Sequence, residues 1–207
     1  RTLERTIGTI CRKVARRIVT EEDFKSYSVK PADLEDLLGP AKFAKDKEER
    51  RDEIGLVNGL AWTSVGGELL PIEVAVMNGT GKIQLTGSLG DVMKESATTA
   101  ITCIRTRAET LGISPDFYAK KDIHIHAPEG AVPKDGPSAG IAMATAVTSA
   151  LCEEPIAHDI AMTGEITLQG RVLPIGGLRE KSMAAYKNGM KTVIIPHGNI
   201  ADLAEVD

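Results

Sequence analysis

The sequence predicts an α/β (α+β) domain preceded by a short all-helical segment. Near the start of the chain, apolar residues recur at helical spacing, whereas after a charged stretch short strand-like runs mix with helical ones. These strands and helices do not follow a strict βαβ period, so α/β and α+β architectures both fit. With 207 residues, of which 42 % are hydrophobic and 26 % charged, the chain can form a core that needs no disulfide or metal.

Two helices are predicted in the N-terminal segment. The first covers residues 2–18, where one face carries apolar side chains at every third or fourth position: Leu3, Ile7, Ile10, Val14 and Ile18. Such a stripe needs a partner that buries it. Pro31 and Gly39 bracket a second, short helix, since proline favours the first helical turn and glycine the position after the last.

A run of mixed charge separates this segment from the rest of the chain. Residues 45–53 contain four basic and five acidic side chains, which cannot enter a core and therefore indicate a linker. We accordingly divide the chain into a helical part (1–43), a charged linker (44–53) and a main domain (54–207). Because the chain starts at Arg1 rather than at methionine, we expect it to be a piece of a longer protein. It contains neither a secretory signal nor a membrane-spanning run of about 18 apolar residues.

The main domain is predicted to mix strands with three helices. Strands are expected at residues 54–63, 69–77, 82–86, 122–126, 159–163, 171–174 and 192–196. Gly66–Gly67 joins the first two strands. A long helix opens at a capping box formed by Ser88 and Asp91 and ends at Leu111. Further helices are expected at residues 138–153 and 178–188.

Composition argues against nucleic-acid and metal sites. The net charge is −4 and aromatic residues make up 3 %, whereas nucleic-acid binders carry basic surfaces and stacking aromatics. The cysteines follow no metal-ligand spacing, so we interpret them as small buried residues in a reducing compartment: Cys11, Cys103 and Cys152. His124 and His126 share a strand face and could bind zinc, but no third ligand is evident, and structural histidines are the favoured interpretation. No metal site is predicted.

A glycine-rich stretch, Gly79-Thr-Gly-Lys82, suggests a phosphate-binding loop. The P-loop pattern, however, requires glycine at position 76 and serine or threonine at position 83, where this sequence has Val76 and Ile83. We therefore predict a turn at this stretch and no ATP-binding motif in the main domain.

Ser138 lies where a stretch rich in proline and glycine, Pro133–Gly140, meets an alanine-rich helix. The first turn of a helix presents unpaired N–H groups and the positive end of its dipole, which can stabilise an oxyanion beside a nucleophile. The alternative is that Ser138 is only the N-cap of the helix. The stretch also matches the hydrolase pattern G-x-S-x-G, with Asp159 and His197 downstream. That elbow requires a strand running into the serine, and the prolines before Ser138 argue against one.

A serine nucleophile needs a base, and Lys181 is the candidate that spacing singles out. Lys181 shares a helix face with Leu178, Ala184 and Ala185, whereas its charged neighbours in sequence point elsewhere. Desolvation on such a face would lower the lysine pKa from about 10.4 and make the neutral amine available as a base. The alternative is a stem lying along apolar surface with its amine in water.

Several short motifs occur in an order and spacing that are more specific than any one of them: Gly59-Leu-Ala-Trp-Thr63, Gly66–Gly67, Gly87-Ser-Leu-Gly90, His124-Ile-His-Ala-Pro-Glu-Gly130, Pro133–Gly140, Met162-Thr-Gly-Glu-Ile-Thr167, Leu173-Pro-Ile-Gly-Gly177 and Arg179-Glu-Lys181. Together they resemble the proteolytic domain of the Lon family of ATP-dependent proteases, from about Gly55 to Pro196. Bacterial A-type members are the most similar, because the turn at residues 78–81 is short.

The resemblance implies a fold and a set of site residues. The fold would be the Lon-protease fold, similar to the ribosomal protein S5 domain 2-like class, continuing beyond Asp207. Ser138 matches the nucleophile of a Ser–Lys dyad, Lys181 its base, and Thr163 a hydroxyl residue that orients the lysine. Four further residues match supporting or structural positions: Glu73, His124, His126 and Asp135.

The resemblance also implies a function. The chain would carry the peptidase site of a cytoplasmic bacterial serine endopeptidase that degrades unfolded, damaged and short-lived regulatory proteins as a homohexamer. Residues 1–43 would be the end of an AAA+ small helical lobe, with Arg1 as its nucleotide sensor. ATP and Mg²⁺ would be bound by the longer protein and no cofactor by this chain; any DNA binding would also lie outside it, and no membrane contact is expected. Two alternatives are an inactive assembly module and a small-molecule kinase of related fold.

Overall fold

The structure is a computed structural model, and it describes residues 2–20, 26–40, 51–63, 66–128 and 133–206. The chain divides into two compact units, residues 1–49 and 50–207. Residues 44–50 of the predicted linker lie outside the described residues, as does Arg1.

The N-terminal unit is helical. Helix α1 (Thr2–Thr20) is followed by a 3₁₀ turn (Pro31–Asp33) and by helix α2 (Leu34–Leu38). The proline opens the turn at a position where a missing N–H costs nothing, and α2 ends at Gly39, whose φ of 86° suits glycine. Leu37 is fully buried, whereas no residue of α1 is buried and its apolar stripe is largely exposed.

The larger unit is built on strands whose ends lie within three residues of the predicted ends. The exception is β6, which the sequence pattern does not predict. The strands are β1 (Leu56–Thr63), β2 (Gly66–Asn78), β3 (Ile83–Thr86), β4 (Lys121–His126), β5 (Ile160–Met162), β6 (Glu165–Ile166), β7 (Val172–Leu173) and β8 (Thr192–Ile194). They form a mixed sheet in the order β3-β4-β2-β1-β5-β8 and a separate β6–β7 ribbon. Since β1, β5 and β8 are mutually parallel, their carboxyl ends meet at one edge of the sheet.

Helices cover both faces of this sheet. The helices of the unit are α3 (Asp91–Arg105), α4 (Phe117–Lys120), α5 (Gly140–Cys152) and α6 (Leu178–Lys187), with 3₁₀ segments at Pro137–Ala139 and His197–Glu205. The paired residues Val57 and Ile72 are fully buried in the main core, which α3 and α5 complete. Leu60 and Leu69, paired on the opposite face, pack in a second cluster that includes Ala185 of α6. The unit is therefore a mixed α/β domain with a core on each side of its sheet.

Helix α3 differs from its prediction at both ends. Its N-cap is Gly90, and the side chain that accepts the hydrogen bond from the Met93 amide is Asp135, which is distant in sequence. The predicted Ser88 capping box is therefore wrong. The helix ends at Arg105 rather than at Leu111, and there the Thr106 hydroxyl bonds the Cys103 carbonyl and competes with the next helical hydrogen bond.

The three cysteines differ in their exposure to solvent. Cys103 is buried and Cys152 half-buried, but Cys11 is exposed, so the expectation of burial is wrong for Cys11. No helix among the described residues combines the length and the apolar character needed to cross a bilayer.

Candidate active site

Ser138 lies in the 3₁₀ turn that leads directly into α5. Gly136 precedes it with a φ of 132°, a conformation that side chains disfavour, so glycine is needed for this turn. Gly136 is the N-cap of the 3₁₀ turn and Ala139 that of α5, so the alternative that Ser138 is the N-cap is wrong. The side chain of Ser138 is half-buried beside the start of α5, where the positive end of the helix dipole favours negative charge.

Backbone and side-chain hydrogen bonds hold the Ser138 turn against its neighbours. The Ser138 carbonyl accepts a hydrogen bond from the Gly164 amide at 2.8 Å, and the Ile141 amide donates to the Gly164 carbonyl at 3.0 Å. From α3, Ser96 Oγ donates to the Pro137 carbonyl at 3.3 Å. The sequence motifs do not identify Ser96, although a serine among the apolar positions of α3 is a signal that could have pointed to it.

Asp135 also supports this turn. Its Oδ1 accepts hydrogen bonds from the Met93 amide at 3.1 Å and from the Gly136 amide at 2.9 Å. A Cβ atom on Gly90 would come within 2.3 Å of Asp135 Cγ, so the carboxylate fits only because position 90 is glycine. The geometry gives Asp135 a structural contact between the start of α3 and the loop before Ser138.

Lys181 is buried, with 3 % of its surface exposed, in the first turns of α6. Leu178, Ala184 and Ala185 are buried with it, as their shared helix face predicts. The alternative in which its amine lies in water is therefore wrong. Because burial disfavours the charged form, the pKa of Lys181 falls from 10.5 to about 8. About a tenth of this amine is thus neutral at pH 7, and this fraction rises as the pH approaches 8.

Thr163 connects the lysine to the serine turn. It follows β5 at the carboxyl edge of the sheet, between the face covered by α5 and the face covered by α6. Its hydroxyl is buried, accepts a hydrogen bond from Lys181 Nζ at 3.3 Å and donates one to the Ser138 carbonyl at 3.3 Å. Among the described residues, no hydrogen bond joins Lys181 Nζ directly to Ser138 Oγ.

Ser138 and Lys181 line one cavity of about 370 Å³. Its apolar lining includes Trp62, Leu70, Met93, Pro128, Pro174 and Ile175. Asp135 and Glu165 add carboxylates to its wall. The last residues of β1 and residues from the first half of β2 line this cavity, together with the Ser138 turn. Its size and mixed lining suit side chains of an extended peptide.

Glu73, His124 and His126 lie elsewhere. They share one face of the β2–β4 pair and line a second cavity of about 430 Å³ that has no residue in common with the first. Thr86 Oγ1 lies 2.9 Å from His124 Nε2 and 2.7 Å from His126 Nδ1, so one hydroxyl bridges both rings. In the part of the chain that the structure describes, no His, Cys, Asp or Glu side chains are grouped to hold a metal ion.

A family model of the Lon protease (S16) C-terminal proteolytic domain matches residues 28–207. The chain belongs to the Lon protease family. The sequences of curated Lon proteases match this chain along its whole length. The Lon protease of Vibrio parahaemolyticus is 56 % identical over 206 residues, and those of Escherichia coli K12 and Geobacter metallireducens are each 53 % identical over 206 residues. The chain spans 26 % of the first two of these proteins and 25 % of the third.

Membership of the Lon family confirms the resemblance drawn from the short motifs and argues against the small-molecule kinase. Ser138, Thr163 and Lys181 all lie within the residues matched to the Lon proteolytic domain. Arg1 lies outside both this match and the described residues. The family thus supports a protease, and the structure places Ser138 and the buried amine of Lys181 on one cavity, with the Thr163 hydroxyl bonded to Lys181 and to the Ser138 carbonyl.

Proposed function

We propose that this chain carries the peptidase centre of an ATP-dependent serine endopeptidase with a Ser138–Lys181 dyad. The observation that supports this most directly is Lys181, a buried amine with a pKa of about 8 that lines the cavity of Ser138. Thr163 fixes this amine from one side, because Lys181 Nζ donates to its hydroxyl. A neutral amine that donates this bond keeps its lone pair for a second partner.

In the proposed reaction, Lys181 Nζ takes the proton of Ser138 Oγ while the serine oxygen bonds to a peptide carbonyl carbon. Backbone N–H groups of the turn around Ser138 stabilise the oxyanion. As the C–N bond breaks, the Lys181 ammonium returns its proton to the departing amine and leaves an acyl-enzyme. Water then attacks the ester carbonyl and gives a proton to Lys181. As the acyl group leaves, Ser138 Oγ takes that proton back from Lys181. The direct Ser138–Lys181 hydrogen bond forms when substrate is bound, as often happens with catalytic contacts that are long in free enzymes.

The proposed substrates are unfolded, damaged and short-lived regulatory proteins. A cavity of about 370 Å³ admits a few side chains of an extended peptide and excludes a folded domain. Unfolding would therefore precede cleavage. We assign this unfolding to an ATPase elsewhere in a longer cytoplasmic protein. That longer protein assembles as a homohexamer. In that protein ATP and Mg²⁺ bind outside the peptidase cavity, and Arg1 senses the nucleotide.

Cleavage of a fluorogenic peptide by paired variants tests the dyad. Ser138→Ala and Lys181→Gln should each lower cleavage about 10²–10⁴-fold, because each removes a group that acts in proton transfer. Ser114→Ala and Lys191→Gln are matched controls, since both side chains are exposed and neither lines the cavity. Cleavage by Lys181→Gln at the unmutated rate would disprove the dyad, whereas equal loss in a control variant would show damage to the fold.

A further inference from the structure

The loop Pro174–Gly177 places Lys181. Pro174, Ile175 and Gly176 line the cavity of Ser138, and Gly177 then starts α6 with a φ of 69°. The Lys181 amide donates to the Gly177 carbonyl at 3.0 Å, so the base lies one helical turn after the loop. A shift of this loop would move the cavity wall and Lys181 together.

The Asn199 side chain is hydrogen-bonded to the backbone of this loop. Its side chain is 2 % exposed and makes two hydrogen bonds with the backbone of Ile175: Oδ1 accepts from the amide at 2.9 Å, and Nδ2 donates to the carbonyl at 2.8 Å. A third bond, from Nδ2 to Asp202 Oδ2 at 2.6 Å, fixes which way the amide points. Since only an amide side chain of this length offers both a donor and an acceptor, aspartate or leucine could not reproduce the pair.

The segment around Asn199 packs closely against the loop. A Cβ atom on Gly198 would come within 2.4 Å of Pro174 Cγ, so the backbone touches the proline ring directly. Pro196 is fully buried, and the 3₁₀ segment His197–Glu205 packs against α6. Asn199 therefore reaches the loop from a segment that packs against both α6 and Pro174.

We propose that Asn199 is a positioning residue of the peptidase site, which clamps the Ile175 backbone and so fixes the start of α6 and the Lys181 amine relative to Ser138. This inference rests on the proposed dyad and goes beyond it, since Asn199 touches neither substrate nor reacting atoms. A buried asparagine with only a structural role would affect the free energy of unfolding and leave the protonation of Lys181 unchanged.

Two readouts in this chain separate these roles. The first is the pKa of Lys181, followed by NMR of ¹³Cε-labelled lysine and assigned by its absence in Lys181→Gln. The second is the rate at which a peptidyl fluorophosphonate labels Ser138. At a temperature where each variant is folded, Asn199→Ala should raise the Lys181 pKa by about one unit, because a released loop admits water. It should also lower Ser138 labelling about 10–100-fold through misplacement of the base.

Asn58→Ala is the matched control. Asn58 is half-buried, donates to the His158 carbonyl at 3.1 Å, and does not line the cavity. It should lower the unfolding midpoint and leave both readouts at unmutated values. If Asn199→Ala does not fold, Asn199→Leu decides in its place, because leucine has a similar volume in this buried position and can form neither hydrogen bond with Ile175.

Unmutated values of both readouts in the deciding variant would overturn the positioning role, and so would equal changes in Asn58→Ala. Failure of the dyad looks different: Ser138 would then remain unlabelled in the unmutated chain, or Lys181→Gln would be labelled at full rate. In that case the pKa readout still tests whether Asn199 positions Lys181.

Discussion

Lys181 places a titratable amine where water cannot solvate its charge. The sequence predicts this burial because the lysine shares a helix face with small apolar residues. Its contact with Thr163 is not predictable from spacing, since the two residues belong to different elements that only the tertiary fold brings together. The connection from Thr163 to the Ser138 carbonyl is equally non-local. Residue patterns thus indicate Ser138 and Lys181 as candidate site residues, and the tertiary fold around the sheet brings them together.

Removal of the buried amine should stabilise the fold at neutral pH. In the unfolded chain Lys181 recovers its ordinary pKa of 10.5, whereas in the folded chain the pKa is about 8. Below pH 8 both states are protonated and the folded state bears the whole desolvation cost. Lys181→Met should therefore raise the free energy of unfolding by about 1–3 kcal/mol at pH 7.

This gain should shrink as the pH rises from about 8 to 10.5, because the native lysine loses its proton first and the unmutated chain becomes relatively more stable. Urea denaturation of both proteins at pH 7 and pH 10 measures it. A difference in stability that is the same at both pH values would contradict the assigned burial of the charge.

Loss of the Thr163 hydroxyl should weaken the positions of both Lys181 and the Ser138 turn. Thr163→Val removes the acceptor of Lys181 Nζ and the donor to the Ser138 carbonyl. Peptide cleavage should fall about 10–100-fold as the amine loses its fixed position, and the unpaired polar groups should cost about 1–3 kcal/mol of stability. Thr163→Ser, which keeps the hydroxyl, should retain most of the activity; equal loss in the serine variant would assign the effect to the methyl group instead.

At the scale of elements, the hairpin β1–β2 approaches α6 closely at Gly67. A Cβ atom there would lie 2.0 Å from the Glu180 carbonyl oxygen and 3.0 Å from the Lys181 amide nitrogen. The sequence indicates the glycine pair as a connection between strands, but the structure places Gly66 and Gly67 inside β2. Hydrophobic periodicity predicts where strands and helices occur and contains no information on how closely two of them pack.

Gly67→Ala should therefore push the hairpin and α6 apart. Because the obstacle is backbone, we expect a loss of about 1–3 kcal/mol in stability together with weaker peptide cleavage. Gly176→Ala is the control for stability, since a Cβ atom there meets nothing within 4 Å. Denaturation midpoints of the two variants measure the difference, and a Gly67→Ala protein as stable as Gly176→Ala would refute the close approach.

At the scale of the whole molecule, the candidate site is assembled from both sides of one sheet. Ser138 comes from the start of α5 on one face, Lys181 from α6 on the other, and Thr163 from the edge between them. The mixed α/β fold and its strand positions are largely predictable from the sequence. The separation of Glu73, His124 and His126 from the first cavity is not, because it depends on strand register.

One measurement tests the central claim, that Ser138 is the nucleophile and neutral Lys181 its base. The chain is treated with a peptidyl fluorophosphonate between pH 6 and pH 10, and mass spectrometry locates the adduct and gives its rate of formation. The claim predicts a single adduct on Ser138, formed about tenfold faster per pH unit below about pH 8, level above it, and lost in Lys181→Gln. An adduct on another residue, or a midpoint near the ordinary histidine pKa of about 6.5 that persists in Lys181→Gln, would contradict it.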